Sequence, residues 1–85
     1  MKKLYKFYKN DCSPCYAMAR NLLQLRLADT MEIVELNVEL EENKQLAVDK
    51  GISKVPVLML ENGNKLVGLK TKDEIMKFVN SENNL

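Results

Sequence analysis

The chain has 85 residues, 46% of them hydrophobic and 29% charged, a composition typical of soluble globular proteins that excludes a disordered, fibrous or membrane-spanning chain. This length has room for a single domain, residues 1–85. Its 13 Lys and Arg against 12 Asp and Glu leave a net charge of +1, which is too balanced for a nucleic acid or an anionic membrane as the main partner.

The first half of the chain predicts a strand, a helix and a second strand. Residues 4–8 are rich in aromatic side chains and precede a polar cluster, which is typical of a strand and a loop. Across residues 14–28 apolar side chains recur every three or four positions, which predicts an amphipathic helix with Pro14 in its first turn. Residues 31–38 are rich in β-branched side chains and predict a strand parallel to the first.

The second half predicts a helix, a hairpin and a last helix. Residues 41–50 end at Gly51, which favours a short helix closed by that glycine. The apolar run 56–60 and the segment 65–67 flank Asn62-Gly63, which predicts an antiparallel hairpin. Residues 71–74 have the form of a capping box before a final amphipathic helix, and the polar tail 80–84 is expected to fray.

The predicted element order is therefore β-α-β-α-β-β-α. Crossovers through helices and a final hairpin make the sheet mixed, with four strands. We expect an α/β fold with helices on both faces of this sheet.

The pair Cys12 and Cys15 lies where the first strand ends and the first helix begins. Unpaired N–H groups make a helix N-terminus partly positive, so a cysteine pKa there can fall from about 8.5 toward about 7. The three-residue spacing brings both sulfurs to one side of the first turn, close enough to bridge. Cys12, nearer the loop, is predicted to attack a substrate disulfide as the nucleophile, and the more buried Cys15 to resolve the mixed disulfide.

Four other uses of this pair compete with redox chemistry. No other cysteine and no histidine is present, which disfavours a zinc site within one chain and excludes a Cys-His hydrolase. A structural disulfide closing so short a loop removes little unfolded-state entropy. A metal or iron-sulfur cluster bridging two copies of the chain stays an alternative.

No signal-length apolar run follows the N-terminal lysines, so the expected compartment is the cytoplasm, where thiols are reduced.

The motif Cys12-Ser13-Pro14-Cys15, its position after the first strand and the element order resemble the thioredoxin superfamily over nearly the whole chain. The resemblance implies a cis bond at Pro56, which would face the dithiol and let the Val55 backbone pair with a substrate strand. A trans Pro56 opening an edge strand is the alternative. The resemblance also implies that Gly68 leaves space beside the active site. The substrate-binding residues expected on this basis are Ser13, Pro14, Val55, Pro56 and Gly68.

The approach to the motif departs from the thioredoxin pattern. Thioredoxins usually have a tryptophan before the first cysteine and a buried aspartate in the first strand, where this chain has Asp11 and Lys6. Lys6 either lowers a thiol pKa as a nearby cation or packs its stem along the sheet with its ammonium in solvent. Tyr8 and Tyr16 either wall the dithiol or lie at the edge of the core. The candidate modulators of the thiol pKa are Lys6, Tyr8 and Asp11.

We therefore predict a small, monomeric thioredoxin that reduces protein disulfides and uses no cofactor besides its Cys12-Cys15 pair. Its expected recycling partner is thioredoxin reductase, a flavin enzyme. A glutaredoxin recycled by glutathione is the alternative enzyme, because residues 8–12 and the missing N-terminal strand and helix resemble either a glutaredoxin or a miniature archaeal-type thioredoxin. Gly68-Leu69-Lys70 lacks the second glycine of the glutaredoxin glutathione site.

Overall fold

The structure is a computed structural model that describes residues 1–81, and its elements follow the predicted order. None of the helices in that range is both long enough and apolar enough to cross a membrane. The elements are β1 (Lys2–Tyr8), α1 (Ser13–Gln24), a 3-10 helix (Leu27–Asp29), β2 (Met31–Asn37), α2 (Glu41–Asp49), β3 (Val57–Leu60), β4 (Lys65–Val67) and α3 (Lys72–Ser81).

The four strands form one mixed sheet in the order β2-β1-β3-β4. Strands β1 and β2 are parallel, whereas β3 is antiparallel to both β1 and β4. One edge of the sheet consequently contains the last residues of β1, β2 and β4 and the first residue of β3. Helix α1 also begins at this edge. We call this the site edge; it comprises residues 9–12, 38–40, 51–56 and 68–70.

Two apolar layers cover the faces of the sheet, which confirms helices on both sides. On one face Leu4 and Leu58 pack with α1 and α3 through Met18 and Ile75, all fully buried. On the other face the layer contains α2 and four buried side chains, Phe7, Ala47, Val57 and Met59. Alternation along β1 puts Leu4 and Phe7 on opposite faces, as expected for a strand covered on both sides.

Several predicted boundaries are wrong by a few residues. The first helix ends at Gln24 rather than at position 28, because Arg26 adopts a left-handed conformation with φ of 55°. The apolar pattern continues past that point because Leu27, in the separate 3-10 helix, is buried. The last helix extends through Ser81, so positions 80 and 81 do not fray, and the remainder of the predicted tail lies outside the described residues.

The predicted turn and cap signals are confirmed. Gly63 takes φ of 92° between the antiparallel strands β3 and β4, a conformation that favours glycine. At the start of α3 the Thr71 hydroxyl accepts the Glu74 N–H at 3.2 Å, and the Glu74 carboxylate accepts the Thr71 N–H at 3.2 Å. The hydrogen bond from the Thr71 backbone, followed by that from its hydroxyl, lowers the pKa of Glu74.

Candidate active site

The two cysteines are joined in a disulfide, with their Cα atoms 5.2 Å apart. That separation lies within the range that a disulfide bridges without moving the backbone. Among residues 1–81 no group of three or more His, Cys, Asp or Glu side chains is arranged to hold a metal ion. The reactive groups at the site edge are thus two neighbouring sulfurs that can form a disulfide.

Cys12 is the N-cap residue of α1. Its backbone is extended, with φ of −125° and ψ of 101°, and its Sγ accepts the Cys15 N–H at 3.3 Å. Its carbonyl oxygen accepts the Tyr16 N–H at 3.1 Å and so begins the helical hydrogen bonding. The first turn of α1 contains no acidic residue, so no carboxylate in that turn offsets the positive end of the helix. This arrangement favours negative charge on the sulfur of Cys12 when the pair is reduced.

Burial does not distinguish the two cysteines. Cys12 is 5% exposed and Cys15 is 4% exposed, so Cys15 is the more buried by a small margin only, and burial does not assign the roles of the two sulfurs. Ser13 and Pro14, between them, are exposed, and Pro14 occupies the first helical turn as predicted.

The loop before Cys12 is held at both ends. Asp11 has φ of 52°, and its N–H donates to the Tyr16 hydroxyl at 3.2 Å. The N–H of Asn10 donates to the Glu39 carboxylate at 2.7 Å, beyond the end of β2. Tyr16 is 59% exposed, so it braces the loop from the surface and is not a core residue. These contacts fix where the chain enters the N-cap position.

Pro56 and Gly68 meet at the site edge. The Val55-Pro56 peptide bond is cis, as the resemblance implied, and Pro56 is buried. The Gly68 N–H donates to the Pro56 carbonyl oxygen at 2.8 Å. Gly68 has φ of +88°, and no described atom lies within 4 Å of the position that a Cβ would take. Conformation rather than crowding therefore requires glycine here, and the space beside it is open.

Lys6 is the buried charged residue of the described chain, and its ammonium is ion-paired with Glu35 at 2.6 Å. Its Nζ also lies 5.3 Å from the centre of the Tyr8 ring. The parallel register places Glu35 directly beside Lys6 and supplies a carboxylate to its ammonium, and the Lys6 side chain as a whole is 11% exposed. Lys6 shares a sheet face with Leu4, which is the face that α1 covers.

An open groove of about 670 Å³ lies on the α2 side of the site edge. Its apolar floor comes from Val38, Ala47 and Ile52. Its charged lining residues are Lys9, Lys44 and Lys54. Sequence reasoning missed this feature, since the three lysines are brought together only by the ends of β1, α2 and the loop before β3.

A model of the thioredoxin family matches residues 2–81. The curated relatives include the mitochondrial thioredoxins of Mus musculus and Bos taurus, each 29% identical over 77 residues. That match covers 86% of this chain, which spans about half the length of those relatives, 46%.

Two solved structures extend the comparison to three dimensions. The N21Q mutant thioredoxin from Halobacterium salinarum NRC-1 is similar with a TM-score of 0.77 and 26% identity, over 94% of this chain and 73% of that one. Thioredoxin f2 from Chlamydomonas reinhardtii has a TM-score of 0.76 over 95% of this chain and 78% of its own, and at 24% identity it bears on the fold alone. Family match, fold and the adjacent cysteine pair agree: the chain belongs to the thioredoxin family.

Proposed function

We propose that this protein is a thiol-disulfide oxidoreductase that reduces protein disulfides. The observation that carries the proposal is the position of Cys12 at the N-terminus of α1, where its Sγ accepts the Cys15 N–H and is bonded to the Cys15 Sγ. Family membership supports redox chemistry of this kind. The proposal assigns the whole reaction to the cysteine pair, with no cofactor.

The exchange proceeds in two displacements. The Cys12 thiolate attacks one sulfur of the substrate disulfide; a mixed disulfide forms and the other substrate sulfur leaves as a thiolate that takes up a proton. The Cys15 thiol then loses its proton and attacks the Cys12 Sγ, which releases the second substrate thiolate. Two electrons pass to the substrate, which becomes a dithiol, and Cys12 and Cys15 become the disulfide.

The residues at the site edge have distinct roles in this proposal. The backbone of Val55, next to Pro56, pairs with the extended substrate chain as an added strand. The open space beside Gly68 admits that chain, and the exposed Ser13 and Pro14 contact it from the motif side.

The charged and aromatic neighbours tune the thiols. Lys6 and Tyr8 lie on the sheet face that α1 covers, and the ion pair of Lys6 with Glu35 puts charged groups on that face. Asp11 precedes the N-cap and is exposed. Its negative charge acts through solvent and counteracts the stabilisation of a thiolate by the positive end of α1. We assign Lys6, Tyr8 and Asp11 to modulation of the thiol pKa values and not to bond-making.

Recycling requires an external two-electron donor. We propose a flavin-containing thioredoxin reductase as that donor, a monomeric protein with residues 1–85 as one domain, and the cytoplasm as the compartment, since reduction of substrates needs a reducing environment. The mitochondrial location in the names of the relatives belongs to those proteins.

The nucleophile assignment is tested by trapping the mixed disulfide. Cys15→Ser should accumulate a covalent complex with a disulfide-containing protein, linked through Cys12, whereas Cys12→Ser should not. Mass spectrometry of the digested complex identifies the linked cysteine. A complex linked through Cys15 would reverse the assigned roles.

The donor assignment is tested by following NADPH consumption with a disulfide substrate. Turnover is expected with thioredoxin reductase, and turnover sustained only by glutathione and its reductase would make the protein a glutaredoxin. Purified protein that contains stoichiometric metal or a coloured cluster between two chains would contradict the reductase proposal.

A further inference from the structure

The charged residues that line the groove on the α2 side of the site edge are all lysines. Lys9, Lys44 and Lys54 line it, its lining contains no Asp or Glu, and none of the three ammonium groups has a carboxylate partner among residues 1–81. The chain as a whole is nearly neutral, with a net charge of +1. The groove lysines therefore concentrate positive charge on a chain that is nearly neutral overall.

Two carboxylates that neighbour groove residues in sequence accept hydrogen bonds from other groups. Glu39 accepts the Asn10 N–H at 2.7 Å, and Asp49 accepts the Gln45 side-chain amide at 2.9 Å. Neither residue lines the groove. A negatively charged group on a bound partner could thus pair with the three lysines, because no carboxylate of this chain lines the groove.

The groove includes Val55, whose backbone pairs with the substrate strand in the proposed function. Lys9 is three residues before Cys12, and Val55, which also lines the groove, is joined to Pro56. Val48, on the groove wall, is 63% exposed, so apolar surface accompanies the charge. A chain that pairs with the Val55 backbone therefore passes along the lysines.

We propose that this groove selects disulfide partners whose polypeptide carries an acidic segment, with interspersed apolar side chains, next to the disulfide. This inference rests on the proposed reductase function and adds its substrate class. The floor of Val38, Ala47 and Ile52 takes the apolar side chains, and the lysines take the carboxylates. Charge complementarity of this type accelerates encounter and sets specificity.

The test compares two synthetic peptides with the same internal disulfide, flanked by aspartates in one and by serines in the other. Pre-reduced protein is mixed with each peptide, and the single-turnover rate of peptide thiol formation is measured at low and high salt. The groove variant combines Lys9→Gln, Lys44→Gln and Lys54→Gln. The control variant, with the same charge change on β4 and α3, combines Lys65→Gln, Lys72→Gln and Lys77→Gln.

The wild-type protein should reduce the acidic peptide about tenfold faster than the neutral one at low salt, because each exposed ion pair contributes about a twofold effect. High salt should diminish that ratio. The ratio should fall to about one in the groove variant and persist in the control variant. Circular dichroism of both variants verifies that the fold is retained.

The outcomes separate this inference from the function on which it rests. Equal reduction of both peptides by the wild-type protein, or equal loss of preference in both variants, would overturn the groove assignment and leave the reductase proposal standing. No reduction of either peptide would overturn both. Glutathione disulfide reduced faster than the acidic peptide, with that advantage lost in the groove variant, would replace the polypeptide partner by glutathione.

Discussion

The Lys6-Glu35 ion pair should respond asymmetrically to the removal of each partner. The Lys6 side chain is 11% exposed, whereas that of Glu35 is 58% exposed. Replacing Glu35 by alanine leaves an ammonium group with little access to water and no carboxylate. Replacing Lys6 by methionine leaves a carboxylate that is already more than half in water. We therefore expect Glu35→Ala to destabilise the protein more than Lys6→Met.

The magnitudes follow from these exposures. An unpaired polar group in a buried position costs about 1–3 kcal/mol. The Tyr8 ring, 5.3 Å from the Lys6 Nζ, partly compensates the charge and moves the cost of Glu35→Ala toward the lower end. Lys6→Met removes an ion pair that water screens on the Glu35 side, and the loss of this pair costs about 0–1 kcal/mol. The buried methionine side chain adds apolar burial, which offsets this cost. The expected difference is about 1–2 kcal/mol.

Urea unfolding of the oxidised proteins at neutral pH measures this difference, with thermal unfolding as a second readout at about 4–8 °C per kcal/mol for a domain of this size. Glu32→Ala, at an exposed position of the same strand, is the matched control and should be nearly neutral. Equal costs for Glu35→Ala and Lys6→Met, or a larger cost for Lys6→Met, would refute the argument from unequal burial.

Three further variants test the packing, the helix cap and the glycine at the site edge. Leu22→Ala should cost about 2–5 kcal/mol in urea unfolding, whereas Leu23→Ala, at a side chain 78% exposed, should change it by less than about 0.5 kcal/mol; similar losses would contradict the helix orientation. Thr71→Ala should cost about 1 kcal/mol at neutral pH. The backbone N–H of Thr71, the largest cause of the lowered Glu74 pKa, remains in this variant, whereas the hydrogen bond from the Thr71 hydroxyl to the Glu74 carboxylate is lost. The part of the cap that depends on this second bond is present above the ordinary glutamate pKa of about 4.3 and disappears as the pH falls through the lowered value, so an unchanged acid profile in Thr71→Ala would contradict it. Gly68→Ala should cost about 1–2 kcal/mol through its φ of +88° alone, and a neutral effect would show that the backbone there is different.

Local signals in the sequence predict the element order, the hairpin and the motif position because each depends on neighbouring residues. The capping box at Thr71 and the Asn62-Gly63 turn need only a few residues to specify them. The end of α1 was mispredicted because Arg26 takes a left-handed conformation that glycine or asparagine usually marks. The apolar period continues through Leu27 although the α-helix does not.

Long-range features of the site depend on strand register and on how elements converge. The burial of Lys6 becomes intelligible once parallel pairing puts Glu35 beside it, a register that no short window contains. The lysine groove requires the ends of two strands and α2 to meet. Cys12 and Cys15 are buried to nearly the same extent, which their order in the chain does not indicate.

The central claim is that the N-terminus of α1 makes the sulfur of Cys12 the reactive thiolate of the pair. The most direct measurement is the pH dependence of iodoacetamide alkylation of the fully reduced protein, with each cysteine followed separately by mass spectrometry. We predict that Cys12 reacts first, with a pKa below the value of about 8.5 for a free cysteine, while Cys15 reacts slowly. Faster alkylation of Cys15, or reaction of both thiols only near their ordinary pKa, would contradict the claim.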